Sequence, residues 1–334
     1  MTITILIFGF LFGAILQYAN LNKYNVISAL ALRENFAVPK AIALSIGIGL
    51  IILSIEIALG MASYHVKPFI LGGLLFGGLL FGMGMALLGY CPGTLAISLG
   101  EGSIDAFIGI IGGLWGGLFY TLVLPYIKPI LGPNWGAVSL NSVVGTNTTF
   151  FIITIIVGII FSLAAFFIHK KDKNQDKKWI LSGIALAILN VIVFSSAFTN
   201  RPIGASTTFP YVSDLLVGLT SNDYYKAIEK PGNWELTFLT GAFLAGIIIS
   251  LIRKDFKLIL IHDNWKKHKD NSPISRIIWS FIGGFILLFG ARMAGGCTSG
   301  HILSGGMQFA FSSLFFSVFV FVGLLITGKY FYMK

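Results

Sequence analysis

Long apolar runs separated by short polar stretches dominate this chain, and no stretch shows the two-residue alternation of a half-buried strand. The runs fall near 3–19, 41–60, 69–90, 104–124, 148–168, 180–198, 236–252, 275–296 and 306–327. Most reach or approach the roughly 20 residues that a helix needs to cross a hydrocarbon core. A composition of 56% hydrophobic and 11% charged residues over 334 positions excludes an ordinary water-facing surface, so length does not translate into soluble domains here. The pattern predicts an all-α polytopic membrane protein of about nine transmembrane helices.

Charge changes the picture by orienting it. With the N-terminus outside, the inner loops collect Lys23, Arg33, Lys40, the cluster Lys170 to Lys178, the cluster Arg253 to Arg276, Lys329 and Lys334. Only Lys67, Lys128, Arg201, Lys226 and Lys230 lie outside, a count of 17 against 5. The C-terminus is then cytoplasmic. The opening MTITILIFGF carries no Lys or Arg and no small-residue cleavage site follows, so it reads as a retained helix at the start of the mature chain. Net charge +10 reflects these loops and does not point to nucleic acid.

The two cysteines sit in GMALLGYCPG (84–93) and GARMAGGCTSG (290–300), 206 residues apart. That offset also superposes Gly77, Gly78, Gly84, Gly89, Ser98 and Gly100 on Gly283, Gly284, Gly290, Gly295, Ser304 and Gly306. Five crossings separate the equivalent spans, an odd number, which predicts two inverted repeats: 1–147 and 180–334, joined by a connecting span and cytoplasmic linker at 148–179. NKYNVISAL (22–30) and NRPIGASTT (200–208) follow the first and sixth spans and are polar yet nearly uncharged, so they read as re-entrant half-helices. The segment 253–274 mixes apolar and basic residues, as either a solvated loop or a helix at the cytoplasmic interface.

Glycine weakens the last turn before each cysteine, and Pro92, with Gly93 and Thr94, or Thr298 with Ser299, can start a new helical piece at once. Both thiols are thereby expected near helix N-termini, where partial positive charge and free N–H groups suit an anion. The residues leave three roles open for Cys91 and Cys297: nucleophile, redox partner, or soft hydrogen-bond donor. Their spacing fits no zinc pattern, so neither a metal nor a cofactor is implied, and no phosphate-binding loop suggests ATP.

Among the other polar residues, Arg292 lies inside a span and requires a partner or a watery cavity, with Glu56 as the candidate ion pair. His301, one turn after Cys297, is either a substrate contact or a satisfied interior histidine. Arg201 can steer an anion or touch a headgroup. Glu101 and Asp105 read as helix-end or interface residues.

GYCPGTLAISLGEG together with ARMAGGCTSGHILSGGMQ, in halves covering nearly the whole chain, resembles the YeeE/YedE sulfur-transport family of bacterial membrane proteins. The resemblance implies a non-enzymatic importer of thiosulfate across the inner membrane, with Cys91 and Cys297 lining a narrow centre and offering S–H donors to the ion. It also implies a small cytoplasmic sulfur-carrier protein, TusA-like, as partner. The family pattern has a third cysteine just after the first span, where this chain reads QYANLNKYN. Either Asn22, Lys23 or Asn25 replaces it as an anion entrance, or the cargo is another sulfur or selenium species. A membrane thiol-disulfide oxidoreductase is the alternative from another class, although no Cys-x-x-Cys pair is present.

Overall fold

A backbone inside hydrocarbon must satisfy its own N–H and C=O groups, and each apolar run does so by coiling. The computed structural model describes residues 1–332, so the charge of Lys334 lies outside the described residues. In chain order the helices are α1 (Thr2–Tyr18), α2 (Tyr24–Ala31), α3 (Ala37–Ala58), α4 (Leu71–Leu88), α5 (Pro92–Gly100), α6 (Ile104–Leu131) and α7 (Leu140–Val144). They continue as α8 (Thr148–Lys171), α9 (Lys178–Phe194), α10 (Thr208–Leu216), α11 (Asp223–Arg253), α12 (Asp263–His268) and α13 (Pro273–Met293). A π-helical segment, Thr298–Gly305, and α14 (Phe311–Tyr332) follow. Among the described residues seven helices are long and apolar enough to cross a membrane, Leu71–Gly100 counting as one, and α1 and α9 are shorter apolar helices. The protein is an all-α, multi-pass membrane protein. Its lipid-facing character shows on α8, where Ile152, Ile156, Ile160, Leu163 and Phe167 are all exposed.

Four isolated backbone bridges tie the connecting segments into two ends. Ala62 pairs with Ser195, Ile70 with Asn134 and Ser139 with Ala310 at one end, and Ser103 pairs with Ile259 at the other. The first end is called here the Arg201 face and the second the Glu101 face. Between them α13 packs along α4 and α6, α14 along α4, α1 along α11, and α3 along α8 and α9.

Four elements differ from expectation. The stretch 200–208, read as a half-helix, is irregular as far as Thr207, because Pro202 and Gly204 break it, and the short helix α10 starts only at Thr208. The eleventh helix begins at Asp223 rather than near 236, because the polar turns DYYKAIEKPGNWE are held by packing and by the Asn222 cap on the Tyr225 amide (2.8 Å), which hydropathy does not register. The sixth runs on to Leu131 through Pro125 and Pro129. The segment 253–274 is not a free solvated loop, and only Asp263–His268 of it is a helix of its own. It bonds Ile259 N–H to the Gly102 carbonyl (3.0 Å), then forms the short α12, whose Trp265 is fully buried.

Candidate functional site

Each cysteine stands at a break between two helical pieces. Gly89 ends α4 in the left-handed region (φ 80°), a conformation that a side chain would strain, and Gly295 does the same after α13 (φ 77°). Pro92 then occupies the first turn of α5 with Cys91 as its cap. The Thr94 hydroxyl accepts from the Cys91 amide (2.9 Å) and lies 3.0 Å from the Cys91 carbonyl and 3.5 Å from its sulfur. In the other half Cys297 caps the π-helical segment, its sulfur 3.2 Å from the Ser299 hydroxyl. A wide π turn here, in place of the expected α-helix, is a local departure of the kind that gathers at functional sites.

The two breaks meet. Cys91 and Thr94 of one, with Thr298 and Ser299 of the other, line a single cavity of about 350 Å³. Its remaining wall is apolar, including Leu21, Met85, Phe161, Ile302 and Val320, and no charged side chain lines it. Cys297, which precedes Thr298 in the chain, is buried and does not itself line the cavity, and both cysteines are free thiols. Chain direction is opposite in the two breaks: α4 comes from the Arg201 face and α5 leaves for the Glu101 face, whereas the π-helical segment after Cys297 heads back to the Arg201 face.

The other predicted residues distribute around that cavity. Pro92 turns away into a second cavity of about 260 Å³ with Leu114, Thr208 and Phe209, and Gly93 backs onto the Phe12 ring. At the Arg201 face the buried Arg292 donates to the Tyr224 hydroxyl (2.7 Å) and to Thr207 Oγ1 (3.2 Å). Glu56 is not its partner: among the described residues no carboxylate lies within 4.0 Å of that guanidinium. Arg201 is half-buried, with its guanidinium 5.2 Å from the Trp234 ring centroid. His301 is fully buried between the Ala294 carbonyl (2.9 Å from Nε2) and the Ser313 hydroxyl (3.0 Å from Nδ1). A carbonyl can only accept, so Nε2 carries the proton and the ring braces the Gly295 turn from behind.

Asn22 and Lys23 lie at the opposite end from Arg201. Both bind Glu101 Oε2 at 2.8 Å, and Gln17 holds its other oxygen at 2.9 Å. Asn25 is likewise taken up, accepting from the Asn264 amide (3.1 Å). These contacts fasten the end of α1 to the end of α5 and to the 253–274 segment.

Sequence reasoning missed a buried polar cluster under Cys91. The Tyr90 hydroxyl lies 2.9 Å from His262 Nε2 and 3.2 Å from Asp105 Oδ1, while Asp105 forms an ion pair with Arg276 at 2.5 Å. Arg276 also donates to the Leu87 and Leu88 carbonyls (3.2 and 2.7 Å) and lies over the Tyr24 and Trp265 rings. Its signal was an arginine four residues into an apolar helix, which charge counting had assigned to a loop.

A multi-pass helical bundle whose two interrupted helices converge from opposite ends on one uncharged cavity has the build of a membrane transporter rather than of a receptor or anchor. The chain belongs to the sulphur transport family, whose profile matches residues 23–326. It is also similar to the thiosulfate transporter TsuA of Spirochaeta thermophila, 26% identical over 340 aligned residues covering 95% of each chain.

Proposed function

We propose that this protein takes up thiosulfate through the cavity shared by Cys91, Thr94, Thr298 and Ser299, with Cys91 and Cys297 offering S–H donors to the ion's terminal sulfur. The observation that carries the reading is the convergence of both cysteine segments on one largely apolar cavity, where Cys91, Thr94, Thr298 and Ser299 bring thiol and hydroxyl groups and no lining residue carries a formal charge. A cation there would hold an anion too firmly, whereas neutral donors and two helix N-termini bind weakly enough for release. The cargo passes chemically unchanged, so the reading assigns transport and no catalysis.

The same reading divides the chain into inverted halves, 1–147 and 180–334, around the connector 148–179. It sets the protein in the cytoplasmic (inner) membrane with the Arg201 face outside, so the N-terminus is outside and the C-terminus inside. Thiosulfate then meets Cys297 before Cys91. On the inner face, exposed Lys266 and Lys267 join the Lys170 to Lys178 cluster, a basic surface for lipid headgroups and for the sulfur-carrier protein of TusA type that the family resemblance implies. Labelled thiosulfate uptake in cells lacking other importers tests the proposal: Cys91→Ala and Cys297→Ala should each lose most of the wild-type rate, and wild-type rates in both would sink it.

A further inference from the structure

The loop between α3 and α4 carries one cation, Lys67, and the fold goes to some length to place it. Gln308 Oε1 accepts from the His65 amide (2.6 Å) and the Ser312 hydroxyl donates to the Lys67 carbonyl (2.8 Å), so this stretch is fastened to the chain that follows the π-helical segment. From there the side chain crosses the turn that precedes Cys297 and gives one N–H to the Gly295 carbonyl at 2.5 Å. It lies so close to this turn that a Cβ on Gly296 would meet Lys67 Cε at 2.8 Å and Nζ at 3.2 Å, and one on Gly300 would meet Cε at 3.5 Å. The absence of a side chain at Gly296 is what lets it lie this close.

An ammonium has three donors, and among the described residues Lys67 Nζ donates to the Gly295 carbonyl alone. No carboxylate of the described residues lies within 4.0 Å. Arg292, which leaves α13 five residues before Cys297, has neutral partners in Tyr224 and Thr207. Both cations flank one short turn at the Arg201 face of a thiol, and the nearest acidic group to the pair, the buried Glu235, is held by the Thr207 amide (2.6 Å) rather than by either of them. The central cavity, in contrast, has no charged lining.

We infer that Lys67 is a binding residue for the oxyanion end of the cargo, at a mouth site above Cys297 and separate from the central cavity. The inference rests on the transport reading and deepens it. A thiosulfate ion has a hard end of three oxygens and a soft terminal sulfur. The two free N–H groups of Lys67 suit the oxygens, and the Cys297 thiol suits the sulfur. Sulfate offers oxygens at every corner, so it occupies the mouth but gains nothing from the thiol. The tether to the Gly295 carbonyl is a neutral acceptor that an anionic oxygen outcompetes, so arrival of the ion draws the ammonium off the turn that holds Cys297.

Concentration-dependent uptake of labelled thiosulfate by wild type, Lys67→Gln, Lys67→Arg and Cys297→Ala, normalised to protein in the membrane, tests this. Lys67→Gln should raise the half-saturating concentration about tenfold and keep the maximal rate, with Lys67→Arg close to wild type. A fall in maximal rate alone would mean that Lys67 only braces the turn, and an unchanged half-saturation would remove it from binding; either overturns the inference. A second measurement does not depend on transport. Thiosulfate, and sulfate to a smaller extent, should raise the thermal midpoint of purified wild type at matched ionic strength, and Lys67→Gln should abolish the sulfate increment. No increment in wild type, or an equal one in Lys67→Gln, overturns the mouth site. Wild-type uptake by Cys297→Ala with the anion increments intact would instead sink the thiol reading and leave Lys67 in place.

Discussion

A Cβ placed on Gly84 would sit 2.8 Å from the carbonyl oxygen of Gly283, and one on Gly77 would sit 2.7 Å from that of Gly290. The offset that superposes the cysteines carries Gly77 to Gly283 and Gly84 to Gly290, so it exchanges these two contacts. The backbones of α4 and α13 therefore touch at two places related by the repeat, and this supports the division into halves proposed above.

Substitution at this crossing should be severe. Beyond the Gly283 oxygen, a Cβ on Gly84 meets Leu287 N at 2.4 Å and Cα at 2.6 Å, all backbone that cannot rotate away. Overpacking of a core costs about 1–3 kcal/mol and more where nothing yields. Gly84→Val should leave little monodisperse protein after detergent extraction, while Met83→Val, next to it and exposed on the lipid side, should match wild type.

The hydroxyl of Thr94 links stability to the proposed site. It accepts from the Cys91 amide and lies within reach of the Cys91 carbonyl and sulfur, so Thr94→Val strips the α5 cap at a cost of about 1 kcal/mol. Uptake per folded molecule should fall roughly fivefold as the thiol loses its fixed position, and Thr94→Ser should restore it. Equal uptake by the valine and serine variants would show that the hydroxyl does not position Cys91.

Much of this was legible beforehand. Hydropathy located the seven long apolar helices of the described residues and the shorter α1 and α9, because the hydrocarbon requirement is strong and local, and Gly89, Pro92 and Gly295 marked both breaks by conformational rules that act within a turn. The contacts that span distance were not legible. Nothing in the string NKYN says that Asn22 and Lys23 close on Glu101, and the lone lysine in HVKPF looked like any outer-loop charge until the fold laid it across Gly296. The early start of α11 escaped for a related reason, since tertiary packing stabilises turns whose composition is polar.

The ion pair of Lys40 and Asp172, 2.7 Å apart with both side chains buried, should dominate stability at the Glu101 face. Burial by itself raises the Asp172 carboxyl, but Lys40 and the amides of Asn174 and Phe36 outweigh it and hold the group below its ordinary value. A depressed carboxylate contributes stability that is complete above its unfolded value of about 3.9 and is lost as pH falls through the lower, folded one. Asp172→Asn leaves the Lys40 charge buried and uncompensated, at about 3–5 kcal/mol. Its thermal midpoint should lie well below wild type at pH 7, and the gap should close in strong acid; a constant gap would contradict the linkage.

Arg276 combines three duties that a single substitution cannot separate: it neutralises Asp105, lies over two aromatic rings, and donates to the Leu87 and Leu88 carbonyls that end α4. Those carbonyls immediately precede the Gly89 turn, so the arginine fixes where Cys91 begins its helix. Arg276→Met should cost about 3–5 kcal/mol by orphaning a buried carboxylate. Arg276→Lys should recover little, because a point charge cannot fork to one carboxylate and two carbonyls. Adding Asp105→Asn to Arg276→Met removes the orphaned charge but not the lost carbonyl contacts. The double variant should therefore regain thermal midpoint relative to Arg276→Met while uptake stays low, and parallel recovery of both would show that the arginine only balances charge.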